Sequence, residues 1–249
     1  LTQDTATIYI DTSGEPLYKR GFKPAAVEAP LKENLAAGIL RLTGWQPGEA
    51  LIDPMCGSGT FLLEAAQIAL DIAPGLGRHF AFERLRHLDR AAWAGVRRAA
   101  EARRHAPHAL PIFGSDIVGE QLRRTRTNLE AAGLADCVSL ERADLLERMP
   151  PAAAGVMVTN PPYGVRIGEA EELAALYPRL GDALKRRWSG WRCYFFSGDP
   201  ALPKLIGLKA SRRTPLFNGA LECRLLEYRM VAGSMRDRPQ AAEGVGNAS

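Results

Sequence analysis

Apolar and polar positions divide the chain into short, buried-looking runs, each leading into a turn and a helix. Ala50-Leu51-Ile52 runs into Asp53 and a glycine-rich turn, and residues 61–71 then read as a helix. Ile112-Phe113-Gly114-Ser115 reaches Asp116, followed by a helix predicted over 119–132 that Gly133 closes. Residues 138–143 reach Asp144, 155–159 reach Asn160, and 191–196 form a fifth strand ahead of Ser197-Gly198. Strands alternating with helices predict an α/β fold with a doubly wound, mostly parallel sheet. Two later β-like runs, 211–216 and 221–229, are joined through Asn218-Gly219, a hairpin signal that places an antiparallel strand at one sheet edge. Upstream, apolar residues at 31, 35, 39 and at 36, 40 predict an amphipathic helix entered at Pro30 and ended by Gly44. Residues 7–22 carry two β-rich arms around Asp11-Thr12-Ser13-Gly14 and read as a hairpin. A lone hairpin is marginal, so this one is expected to pack on the main body or to continue a preceding domain.

Composition narrows the class. The 249 residues are 46% hydrophobic and 24% charged, an ordinary globular profile of one or two domains that needs no metal or disulfide to hold its core. The four cysteines, at 56, 137, 193 and 223, include no C-x-x-C pair and read as reduced thiols of a cytoplasmic protein. No apolar run approaches the ~20 residues of a membrane span, and no secretory signal opens the chain. A chain that opens on Leu1 is expected to be a fragment or processed product, with an N-terminal domain missing. The formal charge is +4, and the cations are 26 Arg against 6 Lys. That imbalance suits phosphate recognition by guanidinium forks, and equally a GC-rich coding bias. Residues 74–110 interrupt the strand–helix alternation. Eight Arg fall in 78–105 against Glu83, Asp89 and Glu101, which fits a solvated helical surface or an RNA-facing patch. All four histidines lie in this insert without metal-ligand spacing, since Pro107 breaks the helical face between His105 and His108. The last stretch, 232–249, is small and polar and reads as a disordered tail.

Chemistry is expected beyond the carboxyl ends of the strands, where strand order reverses. Four polar side chains stand there: Asp53, Asp116, Asp144 and Asn160. The first opens Asp53-Pro54-Met55-Cys56-Gly57-Ser58-Gly59-Thr60, an acid ahead of a G-x-G turn. A phosphate loop would need G-x-x-x-x-G-K-[ST] and a dinucleotide fingerprint a third glycine at position 62, where Leu62 stands. An acid before glycines suits instead a cationic amino group, as in the methionine half of S-adenosylmethionine. Asp116 is placed to accept hydrogen bonds from two ribose hydroxyls, although it lies 63 positions beyond Asp53, so the insert must loop out. Glu83 competes for that role. Asp144 would face the adenine amino group, with a helix N-cap as its alternative. Asn160-Pro161-Pro162-Tyr163-Gly164 completes the set. An exocyclic base amine is a poor nucleophile because its lone pair is delocalised into the ring. Two acceptors, the Asn160 side-chain oxygen and the Pro161 carbonyl, can turn that lone pair out of the plane and toward a methyl donor. The prolines fix the backbone, and Tyr163 can stack on an extruded base.

These residues resemble a known family. Asp53 to Thr60 and Asn160 to Gly164 look like motifs I and IV of class I S-adenosylmethionine-dependent methyltransferases acting on exocyclic amines. The flanks Asp11-Thr12-Ser13-Gly14, Tyr18-Lys19-Arg20-Gly21, Ala29 to Ala37, Ala73-Pro74-Gly75, Gly114-Ser115-Asp116 and Phe217 to Leu221 are similar to the THUMP-associated guanine-N2 methyltransferases of large-subunit ribosomal RNA, the RlmL type. The similarity covers roughly residues 7–229 and implies a Rossmann-like methyltransferase fold. It divides the chain into an entry hairpin and linker over 1–29, at the end of a missing THUMP domain, a methyltransferase domain over 30–231 and the tail. It further implies S-adenosylmethionine as cofactor, S-adenosylhomocysteine as product and no metal. Cofactor contacts are expected from Asp53, Pro54, Met55, Cys56, Gly57, Ser58, Gly59, Thr60, Asp116, Ile117, Asp144, Leu145 and Asn160. Catalytic positioning falls to Asn160, Pro161, Pro162 and Tyr163. The expected partner is ribosomal RNA of the large subunit or its precursor, with no membrane, and the expected state is a monomer. Relatives with the same Asn-Pro-Pro-Tyr methylate adenine N6 or transfer-RNA guanine, so that motif alone does not name the base.

Overall fold

The structure, a computed structural model, describes residues 6–21, 31–161 and 169–231. In chain order the elements are α1 (Glu33–Thr43), β1 (Leu51–Asp53), α2 (Thr60–Ala69), α3 (Arg90–Arg103), β2 (Ile112–Asp116), α4 (Gly119–Ala131), β3 (Ser139–Arg142), β4 (Gly155–Thr159), α5 (Glu169–Arg187), β5 (Trp191–Ser197), α6 (Leu202–Leu205), β6 (Arg212–Asn218) and β7 (Leu221–Arg229). All seven strands join one sheet in the order β3-β2-β1-β4-β5-β7-β6. The first five are parallel; β7 returns antiparallel to β5, and β6 pairs antiparallel with β7. The mostly parallel doubly wound sheet with its antiparallel edge is thus as the sequence predicts. Order reverses between β1 and β4, which opens a crevice at their carboxyl ends.

Strict alternation sends the strand residues to two cores. Leu51, Val156, Val158, Tyr194, Phe196 and Leu225 face α1, α2 and α4, where Ile39, Leu62 and Leu129 meet them. Ile52, Met157, Cys193, Phe195, Leu226 and Tyr228 face α5 and α6, where Tyr177, Leu180, Leu184 and Leu202 close the layer. α5 is an element that the sequence reading did not assign, although its buried Leu173, Tyr177, Leu180 and Leu184 recur at helical spacing. α1 ends at Gly44 as expected: this residue has φ 71° and its amide donates to the Arg41 carbonyl.

The hairpin predicted over 7–22 does not form in its described residues, 7–21. Residues 6–21 contain no strand, and Ile8, Tyr9 and Ile10 are exposed. The Asp11-Thr12-Ser13-Gly14 turn does form, with the Ser13 amide donating to Asp11 at 2.8 Å, but its carbonyls are taken by another partner. The amides of Ala81 and Phe82 donate to Ser13 and Thr12, and Arg78 reaches the Pro16 carbonyl at 3.3 Å. A backbone paired with the insert has no ladder left for its own second arm. Beyond the turn, Arg20 forks onto Glu64 of α2 at 3.2 and 3.3 Å, which holds the arm along the body. The tail 232–249 lies outside the described residues.

Candidate active site

A cavity of about 640 Å³ opens at the carboxyl ends of β1, β2 and β4. Its walls bring together the predicted Asp53, Pro54, Met55, Cys56, Gly57, Ser58, Thr60, Asp116, Ile117, Asp144, Leu145 and Asn160 from segments far apart in the chain. The volume is that of a small-molecule site. Among the predicted cofactor contacts, Gly59 alone turns away. At φ 80° it caps α2, and a β-carbon there would stand 2.7 Å from the Thr125 methyl carbon, so its role is close packing of the loop on α4. Pro161 is buried, and Pro162 and Tyr163 lie outside the described residues.

The loop after β1 is shaped by its neighbours. The Cys56 amide donates to the Ser115 carbonyl at 2.9 Å, and Gly57 takes φ 53° so that its amide donates to Asp116 Oδ2 at 3.0 Å. From α4, the Thr125 hydroxyl donates to the Gly57 carbonyl at 2.7 Å and Asn128 Nδ2 to the Ser58 carbonyl at 2.9 Å. These two tethers were not found from sequence. Their signal was there, since Thr125 and Asn128 are polar residues on the inward face of an otherwise polar-out helix, and both are buried. Leu31, Phe61, Gln121, Leu176 and Arg179 also line the cavity and went unassigned.

Electrostatics single out Asp53. It is 2% exposed, and burial pushes its carboxyl up to about 7. The Thr159 hydroxyl and the Met55 amide, which donates to Oδ1 at 3.2 Å, pull the other way without offsetting the lost hydration; Asp116 adds to the rise. A carboxylate so placed gains from a cation brought into the cavity. The Cys56 thiol is also driven upward by burial and by Asp53, so it is no thiolate nucleophile. Asp116 accepts from Gly57 and, at 2.9 Å, from the Val118 amide, which fixes its carboxylate against the cavity wall. Asp144 lines the cavity, and its carboxylate caps a turn rather than the helix that was its alternative reading, accepting from the Leu146 amide at 2.9 Å. Asn160 Oδ1 is buried and, among the described residues, has no hydrogen-bond partner. Such an orphan acceptor is costly unless a ligand donates to it. Among the described residues no cluster of His, Cys, Asp or Glu could hold a metal ion, and no helix is long and apolar enough to cross a membrane.

A doubly wound sheet with its reversal at β1 and β4, an acid-led glycine loop and an asparagine at the end of β4 together define the class I S-adenosylmethionine-dependent methyltransferases. Comparison with known proteins narrows this. The family described as RMKL-like, methyltransferase domain (UPF0020) matches residues 20–227, and the chain belongs to it. It is 43% identical over 247 residues to the ribosomal RNA large subunit methyltransferase K/L of Shewanella sp. (strain W3-18-1), a match that takes in 96% of this chain and 35% of that protein. The chain spans between about a third and three fifths of the length of the curated relatives it matches. Among solved structures it resembles SMU.472, a candidate methyltransferase complexed with SAH, with a TM-score of 0.81 and 36% identity over 88% of this chain and 57% of that one. A predicted N6-adenine-specific DNA methylase from Listeria monocytogenes str. 4b F2365 follows with a TM-score of 0.79 and 34% identity, covering 88% of this chain and 57% of that one.

Proposed function

We propose that this chain transfers a methyl group from S-adenosylmethionine to the exocyclic N2 amine of a guanine in 23S ribosomal RNA, acting in the cytoplasm as a monomer whose catalytic domain is 30–231. One observation carries the reading: an asparagine carbonyl oxygen, buried and without a hydrogen-bond partner among the described residues, stands at the end of β4 on the wall of the cavity that the glycine loop encloses. The names of the relatives and the flanking motifs support ribosomal RNA of the large subunit as substrate. The cavity residues fit S-adenosylmethionine, because the buried Asp53 has no cationic partner among the described residues and the ligand carries an ammonium.

When bound, S-adenosylmethionine supplies an electrophilic methyl group. Asp53 would hold the ammonium end, and Asp116 the ribose hydroxyls. Asp144, Leu145 and Ile117, which line the same cavity, would border the adenine. Asn160 Oδ1 and the Pro161 carbonyl each accept one N–H of the target amine, which turns the nitrogen lone pair out of conjugation and fixes its direction. Pro162 keeps the carbonyl in place, and Tyr163 stacks on the extruded base.

A second reading, methylation of adenine N6, is favoured by the name of the Listeria relative. Incubation with labelled S-adenosylmethionine and ribosomal RNA from cells lacking the activity, followed by digestion to nucleosides, separates the two. Label in N2-methylguanosine is expected; label in N6-methyladenosine would replace the base assignment.

A further inference from the structure

The chain leaves α2 at Leu70 and comes back to the same point, where the His105 amide donates to the Leu70 carbonyl at 2.9 Å. The excursion between them carries α3, a helix of 14 residues with no buried residue at all. Its anchor is a small aromatic cluster, Phe80 stacked on Phe82 with Trp93 edge-on to both at 5.7 and 4.8 Å, separate from both cores. Apolar burial therefore does not account for α3, and charge is its dominant property. Residues 78–105 hold eight Arg against three acids, an excess of five that is larger than the +4 of the whole chain.

Half of those arginines are engaged at home. Arg103 pairs with Asp71 at 3.2 Å and Arg104 with Glu101 at 3.6 Å, Arg97 reaches the Leu76 carbonyl, and Arg78 binds the arm. The other four, Arg84, Arg86, Arg90 and Arg98, are exposed and have no carboxylate partner among the described residues. Arg90 and Arg98 stand ~12 Å apart along the axis of α3. Arg84 and Arg86 lie in the turns that lead into α3, and Arg90 and Arg98 on α3 itself, so a short stretch of chain carries all four of these cations, which a polyanion neutralises. Guanidinium groups pair with phosphate oxygens in a forked geometry.

We propose that Arg84, Arg86, Arg90 and Arg98 form a second RNA contact, which grips the phosphate backbone of the substrate away from the target base. This rests on the RNA methyltransferase reading above. The insert leaves and rejoins the body at the amino ends of β1 and β2, whereas the cavity opens at their carboxyl ends. The contact thus holds the RNA without orienting the reacting amine. It reads no sequence, and it acts only on RNA long enough to reach both ends of the sheet.

The test compares the full chain with R84Q/R86Q/R90Q/R98Q and with a control of equal charge change, R41Q/R126Q/R186Q/R212Q, whose arginines are exposed elsewhere. The melting temperature and the calorimetric affinity for S-adenosylmethionine should be unchanged in both variants, since neither set touches a core or the cavity. On protein-free large-subunit ribosomal RNA at about 100 mM salt, the insert variant should bind at least ~10-fold more weakly, with a salt slope shallower by about 3, while the control moves less than ~3-fold. On a short oligonucleotide around the modified base the insert variant and wild type should bind alike. Equal RNA affinity of wild type and insert variant, or equal weakening in the control, overturns the proposal while leaving methylation intact. Wild-type protein that labels no base in the RNA refutes the functional reading instead.

Discussion

The two ends of the first βαβ unit solve opposite problems. At the carboxyl end, Asp53, Asp116, Thr125 and Asn128 are polar yet buried, and each is tied to the loop 56–58 or, in Asp53, held ready for a cation. At the amino end, the insert is charged, exposed and almost free of buried contacts, with α3 anchored through its own Trp93 on Phe80 and Phe82. A buried polar site is rigid because each group depends on its neighbour, and changing one member is felt throughout. An exposed charged surface is tolerant, because water replaces what a substitution removes.

The largest effect is expected at Asn160. Asn160→Ala should lower kcat by ~10²–10³-fold or more, as loss of a positioned hydrogen-bonding group does, with calorimetric affinity for S-adenosylmethionine near wild type. A parallel loss of cofactor affinity would assign Asn160 to binding alone. Asp53 should divide stability from function. Asp53→Asn removes the carboxylate whose burial is unfavourable, so the melting temperature at pH 8 should rise while affinity for S-adenosylmethionine falls by at least ~10-fold. An unchanged affinity would remove Asp53 from the ammonium site.

The pH dependence has a definite sign. Folding raises the Asp53 carboxyl from its ordinary 3.8 to about 7, so between those values the folded protein holds a proton that the unfolded chain releases. The contribution of this group to stability is therefore greatest below pH ~4 and declines as pH rises through about 7. Cofactor binding runs the other way because the ammonium requires the carboxylate. Affinity should rise ~10-fold per pH unit up to about 7 and level off above it, a profile that calorimetry in buffers of different ionisation enthalpy would check. In Asp53→Asn the profile should be flat.

Gly59→Ala tests the close packing behind the loop. It places a side chain at φ 80° and a β-carbon 2.7 Å from Thr125, and should cost about 1–3 kcal/mol in denaturant unfolding. The smallest effect is expected in the insert, where Val96 is 58% exposed. Val96→Ser should change stability by less than ~0.5 kcal/mol. A loss as large as that of Gly59→Ala would mean that α3 is packed by something other than solvent, and the contrast between the two ends would fail.

Much of the site was legible because a parallel strand buried on both faces is an apolar run that stops at its carboxyl end, where ligands bind. The polar residues that end those runs, Asp53, Asp116 and Asn160, and Asp144 just beyond β3, could therefore be named in advance, and all four line one cavity. Gly59 was named for the right loop but the wrong side of it, since spacing does not say which way an αL glycine faces. Leu176 and Arg179 were missed because α5 went unassigned. The entry hairpin was expected because both arms have strand composition. It failed because Ala81, Phe82 and Arg78 claim the turn's carbonyls, a competition that local pattern does not contain.

The amino-acid sequence by itself determined the strand ends, the glycine loop and the Asn-Pro-Pro-Tyr segment, since backbone freedom and hydrophobic period are properties of neighbouring residues. The tertiary structure alone decided that β1 lies between β2 and β4, that Thr125 and Asn128 tether the loop, and that Asp53 titrates near 7. Strand order and tethering depend on which surfaces meet in space, and a pKa depends on the water and charge surrounding a group in three dimensions.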